Sequence, residues 1–225
     1  MFFSPIALLF FFLFSIFILF IFAFVQINAI VLAFAKIGIP PENVFITLIL
    51  LLLGSFINIP VKKIPQEFMV TERRIRFFGF HYVVPVWKRS VTVIAINLGG
   101  AVIPTLVSLY LLVKTGLYFK AGLATLLMTL ISFKLAKPIP GIGIALPFFI
   151  PPALAALLAI IIGDEDAPVI AYISGTLGTL LGADILNLKK IGNLGAPVAS
   201  IGGAGTFDGI FLTGILAVLL AAIFS

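Results

Sequence analysis

Apolar residues run through this chain in seven long stretches, broken by short polar, glycine-rich or proline-rich interruptions. The first stretch, 5–35, is rich in phenylalanine, with Gln26 and Asn28 near its end. An apolar run of about twenty residues spans a bilayer as a helix, and a longer one tilts or extends along the interface. Pro40 and Pro41 cannot continue a helix and predict a turn. A second span is expected over 44–59, closing at Asn58 and Pro60. The third, 91–113, contains Asn97-Leu98-Gly99-Gly100 and Pro104, which predicts a kink or local unwinding whose freed backbone groups need partners. The fourth covers 121–135, the fifth ends near 162, the sixth covers 169–183 and the seventh 206–224.

Two interruptions are larger. Residues 61–89 hold Lys62, Lys63, Arg73, Arg74, Arg76, Lys88 and Arg89. Within them, 68–86 mixes β-branched and aromatic residues around Gly79, the pattern of a small hairpin. Residues 138–152 carry Pro138, Pro140, Gly141, Gly143, Pro147, Pro151 and Pro152 among apolar side chains. That composition predicts a re-entrant or broken-helix element buried in protein. The expected fold is therefore an all-α bundle of about seven transmembrane helices, with a re-entrant segment and a small cytoplasmic β-hairpin, forming one polytopic domain over 1–225.

Composition supports the membrane class. Of 225 residues, 62% are hydrophobic and 10% charged, whereas soluble domains are near a quarter charged. The net charge of +6 agrees with the excess of Lys and Arg in cytoplasmic loops. With seven spans and an inner N-terminus, Lys134, Lys137, Lys189, Lys190 and the seven basic residues of 61–89 are cytoplasmic. Lys36, Lys114, Lys120 and the acidic turn 163–168 lie outside, as does the C-terminus. The first span lacks a basic leader and is read as retained. No soluble basic surface is present to bind nucleic acid. The absence of cysteine excludes disulfides, thiolate metal sites and cysteine catalysis. No cofactor and no metal are expected, and the partners are membrane lipids and a membrane-embedded protein or peptide substrate.

Candidate chemistry centres on acids. Of the eight acidic residues, Asp184 and Asp208 stand at the margins of apolar runs among glycines. A carboxylate beside hydrocarbon is costly and marks a functional site by default. Topology puts the end of span six and the start of span seven at one leaflet. There the two acids can share a proton, one activating water and the other polarising a carbonyl. They can also relay protons or cations in a transporter. The plain alternative is helix capping. It suits Asp208 in a first turn, and it explains Asp184 badly because a helix C-terminus disfavours an anion.

Asn97, Gly99 and Gly100 offer an amide and close backbone approach to a substrate, or else pack helices. Asn187, Gly203 and Gly205 are further candidates for substrate contact, with a turn role as the alternative for Asn187 and Asn193. His81 is a lone histidine among aromatics. The glycines of 202–205 lack the Lys and Ser/Thr of a phosphate loop.

Three segments carry a resemblance: 96–104 (INLGGAVIP), 182–188 (GADILNL) and 202–214 (GGAGTFDGIFLTG). Together they resemble an uncharacterised family of prokaryotic multi-spanning membrane proteins, over nearly the whole chain. The last third also resembles the GxGD intramembrane aspartyl proteases, the presenilin, signal-peptide-peptidase and prepilin-peptidase group. That resemblance implies catalytic roles for Asp184 and Asp208. Two departures stand out. Thr206 and Phe207 separate the glycines from Asp208, and Pro152-Ala153-Leu154 precedes both acids where the presenilin motif follows them. The functions expected are an intramembrane aspartyl protease-like enzyme, a proton- or cation-coupled transporter, or a structural or lipid-interacting protein.

Overall fold

The computed structural model describes residues 5–77, 80–139, 143–191, 197–203 and 209–224. Its helices are α1 (Pro5–Lys36), α2 (Pro41–Ser55), α3 (Ile103–Thr115), α4 (Tyr118–Leu135), α5 (Ile150–Gly163), α6 (Ala167–Thr179), the short α7 (Leu188–Ile191) and α8 (Gly209–Phe224). Each of the seven apolar runs thus contains a helix. Prolines that punctuate the sequence stand in first turns, at Pro41, Pro104, Pro151, Pro152 and Pro168. An N–H has no helical partner at those positions, and a fixed φ is preorganised there.

Several apolar helices make the chain compatible with an integral membrane protein. Among the described residues three helical segments, Phe12–Lys36, Leu98–Thr115 and Tyr118–Leu135, are long and apolar enough to cross a membrane. The others are shorter: α2 has 15 residues, or about 22 Å at 1.5 Å per residue.

The all-α expectation needs correcting. The small hairpin is long: β1 (Asn58–Phe77) pairs antiparallel with β2 (Phe80–Asn97), from Asn58 opposite Asn97 to Phe77 opposite Phe80. It consumes the end of the second predicted span and the start of the third, so 91–97 is strand. Val, Thr and Ile alternate there and suit a pleated surface as well as a membrane helix. The proline-rich 138–152 does not form a broken helix among its described residues. It forms a short hairpin, β3 (Lys137–Ile139) with β4 (Gly143–Ala145), leading to α5. The glycine-rich connection before α8 contains β5 (Val198–Ile201), which lies parallel to β2 in a sheet of order β1-β2-β5.

Helix α6 is central. Nearly all its residues are buried, and it packs against α3, α4, α5 and α8. By contrast, α1 presents Phe12, Phe17 and Phe20 outward, each more than half exposed. The bundle has two distinct ends. At one, Lys114 Nζ at the end of α3 donates to Gly38 O in the α1–α2 turn at 2.7 Å, and Lys120 of α4 meets Asp166 before α6 at 3.7 Å. The sheet lies at the other end.

Candidate functional site

Asp184 sits where α6 changes its winding. From Leu180 to Ile185 the helix widens into a π turn, and Leu186 N closes it on Leu181 O at 2.9 Å. Such turns are frequent at functional sites. A close crossing accompanies it: a Cβ on Gly182 would run into Thr129 O and Phe133 N of α4. The carbonyls released at this end find a partner in Asn187, whose buried Nδ2 donates to Gly182 O at 3.1 Å and Ala183 O at 3.0 Å.

The Asp184 side chain is anchored from across the sheet. Its Oδ2 accepts from Gly202 N at 2.8 Å. Gly202 follows β5 with φ +84° and Gly203 with φ +92°, so both occupy the left-handed region that suits glycine. A side chain on Gly202 would also collide with Ala101. The glycine turn is therefore clamped between the Asp184 π turn and a second one.

That second π turn, Leu98–Val102, joins β2 to α3. Asn97 starts it: its Oδ1 accepts from Gly100 N at 2.7 Å, and its Nδ2 donates to Ser55 O at 2.6 Å and Asn58 Oδ1 at 3.1 Å. Asn58 Oδ1 also accepts from Ser200 Oγ of β5 at 2.5 Å. A continuous polar chain thus runs from α2 through both hairpin roots to β5. Gly99 lies against Leu51 O and Ser55 N of α2, where a Cβ has no room. Beneath this network Ile94, Ala101, Leu180, Ile201 and Ile210 form one buried apolar cluster.

The structure gathers Asp184, Asn97, Gly99, Gly100, Gly203 and Asn187 at this end of the bundle. The side chain of Asn97 is committed to internal bonds, and Gly99 serves a helix crossing. Gly205 and Asp208 lie outside the described residues, as does Asn193. His81 stands opposite Arg76 on the hairpin, sixteen residues along β2 from Asn97.

Sequence reasoning missed Ser55, Asn58 and Ser200 as network members, and Gly202 as the partner of Asp184. It also missed a row of buried hydroxyls on α6. Tyr172, Ser174, Thr176 and Thr179, with Ser132 of α4, make no hydrogen bond among the described residues. The sequence marks Ser174-Gly175 and Thr176-Leu177-Gly178, with Gly182 beyond, as small residues that let helices approach closely, and the unpaired hydroxyls are what that reading does not contain.

No curated protein and no solved structure matches this chain. One family, described as proteins of unknown function (DUF1614), matches residues 52–220, well over half of the sequence, and the chain belongs to that family.

Proposed function

We propose that the protein is a seven-span membrane hydrolase that pairs Asp184 with Asp208 to cleave an amide bond in a membrane-embedded peptide. The observation that supports this is the anchoring of the chain on both sides of Asp208 beside Asp184. Upstream, Gly202 N–H is bound to the Asp184 carboxylate. Downstream, Ile210 packs in one cluster with Leu180, which opens the π turn bearing Asp184. Two carboxyls held close cannot both ionise, so the pair shares one proton. The ionised member takes a proton from water as it attacks, and the protonated member donates to the carbonyl oxygen. The GxGD resemblance points the same way. The excess of Lys and Arg at the sheet end supports an orientation with that end and the N-terminus in the cytoplasm and the C-terminus outside.

A carrier coupled to protons or cations is the second reading, because an acid beside unwound helical turns also suits ion binding. Substitution separates the two. Asp184→Asn retains an oxygen to accept from Gly202 N–H but cannot serve as acid or base. In proteoliposomes holding membrane-spanning peptides, Asp184→Asn and Asp208→Asn should each lower cleavage at least about a thousandfold, with unfolding unchanged. Cleavage that survives either substitution rules out the hydrolase. Ion-coupled flux lost in both variants without any cleavage establishes the carrier.

A further inference from the structure

We infer that the α6 face bearing Tyr172, Thr176 and Thr179 is a buried water-binding seam that leads to Asp184. The three positions share one helix face, since residues three and four apart stack along a helix. All three are at most 1% exposed. The Tyr172 and Thr176 hydroxyls lie beside one another, yet neither closes a hydrogen bond of ordinary geometry. Among the described residues Thr179 has no hydrogen-bond partner either. Three residues beyond Thr179, Gly182 meets Ser132 of α4, whose buried hydroxyl is also without a partner among them. The row closes on Asn187, whose buried Oδ1 accepts no hydrogen bond from a described residue. From Tyr172 to Asp184 this is about 18 Å of helix at 1.5 Å per residue.

Three helical hydroxyls elsewhere in the molecule, from buried Ser108 to exposed Thr115, close on their own backbone. Ser108 donates to Pro104 O at 2.9 Å, Thr115 to Leu111 O at 2.8 Å and Thr129 to Thr125 O at 2.7 Å. Each turns onto the carbonyl one turn back. The α6 hydroxyls do not, and a hydroxyl buried without a partner is unfavourable. Water both donates and accepts, and it is small enough to serve such a row in single file. The facing surfaces pack closely: Gly214 of α8 lies against Thr176 and Tyr172, and Gly178 lies against Met128, so water enters the seam as these helices part. On the hydrolase reading, on which its role rests, the seam brings the second substrate, water, to Asp184 through an apolar bundle.

The natural chain lacks cysteine, so a single introduced thiol reports on its own surroundings. Thr176→Cys and Thr179→Cys are compared with Ala159→Cys and Ala217→Cys, which are fully buried in an alanine cluster between α5 and α8. The full chain in liposomes is treated with a small charged methanethiosulfonate, which needs the thiolate and hence water. The seam predicts modification at 176 and 179 at least about tenfold faster than at 159 and 217. Equal rates at all four positions overturn it. Should Thr176→Cys fail to fold, Ser132→Cys reads the same seam from α4 by an oxygen-to-sulfur exchange. Cleavage by the chain with Asp184 and Asp208 intact separates the two ideas: fast labelling at 176 and 179 in a protein whose unsubstituted form cleaves no membrane-spanning peptide retires the hydrolase and leaves the seam standing.

Discussion

At one end of the bundle the chain reverses direction through tight turns and little else. Gly116 caps α3 at φ +68° with open space where a Cβ would stand, and a single 3-10 turn, Asp164–Asp166, leads into α6. The charges there are exposed: Lys120 and Asp166 are each more than two-fifths accessible. At the other end two π turns, a three-stranded sheet and a buried asparagine network meet around Gly202 and Asp184. Turns suffice to connect helices, so the second end holds more structure than connection requires. Its backbone is held by glycines that admit no side chain, and its polar groups are paired from distant segments. Rigid elements of this kind are what the proposed hydrolase needs to hold a reacting group in place.

The sharpest test of that contrast is steric. Gly99→Ala or Gly202→Ala forces a methyl group into backbone and should lower stability by about 3 kcal/mol. Gly116→Ala, with only the left-handed conformation against it, should cost about 1 kcal/mol. Unfolding in detergent measures both, and equal losses would erase the difference between the ends. Next comes the polar network. Asn97→Ala strips Gly100 N–H and Ser55 O of a buried partner and should cost about 2 kcal/mol. Lys114→Ala, an exposed donor at the turn end, should stay within about 0.5 kcal/mol. The smallest effect belongs to the exposed ion pair. Lys120→Ala should change stability by roughly 0.5 kcal/mol or less, and high salt should remove even that.

Much of the fold was legible in the sequence because a bilayer demands long apolar runs, and all seven runs contain helices. Asp184 was legible for a related reason: an acid at the edge of such a run stands out. The strands were not. Residues 91–97 are apolar and β-branched, and hydropathy alone cannot tell a buried strand from the start of a helix. The π turn at Leu98–Val102 was half legible, since Asn97-Leu98-Gly99-Gly100 and Pro104 predict a kink or unwinding there, but the one at Leu180–Ile185 was not, because one extra residue in a turn leaves no mark on composition. The contact of Gly202 with Asp184 depends on β5 pairing with β2 across about a hundred residues, which no local pattern encodes. The burial of α6 against the exposure of α1 was half legible. Both are apolar, but Phe-rich α1 holds a single Ser and no Gly or Thr, whereas Ser174, Gly175, Thr176, Gly178 and Thr179 let α6 be surrounded by other helices.

The pairing of Asp184 with Asp208 can be measured directly, because the chain contains no cysteine. In the double variant Asp184→Cys/Asp208→Cys, a disulfide forms only if the two Cα atoms come within about 7 Å. The account predicts that mild oxidation in liposomes closes this bridge quantitatively, while Asp184→Cys paired with Ala217→Cys stays reduced. Failure of the 184–208 pair to bridge under oxidation that links Gly163→Cys to Ala167→Cys, whose Cβ positions lie 3.6 Å apart at the turn end, would contradict it.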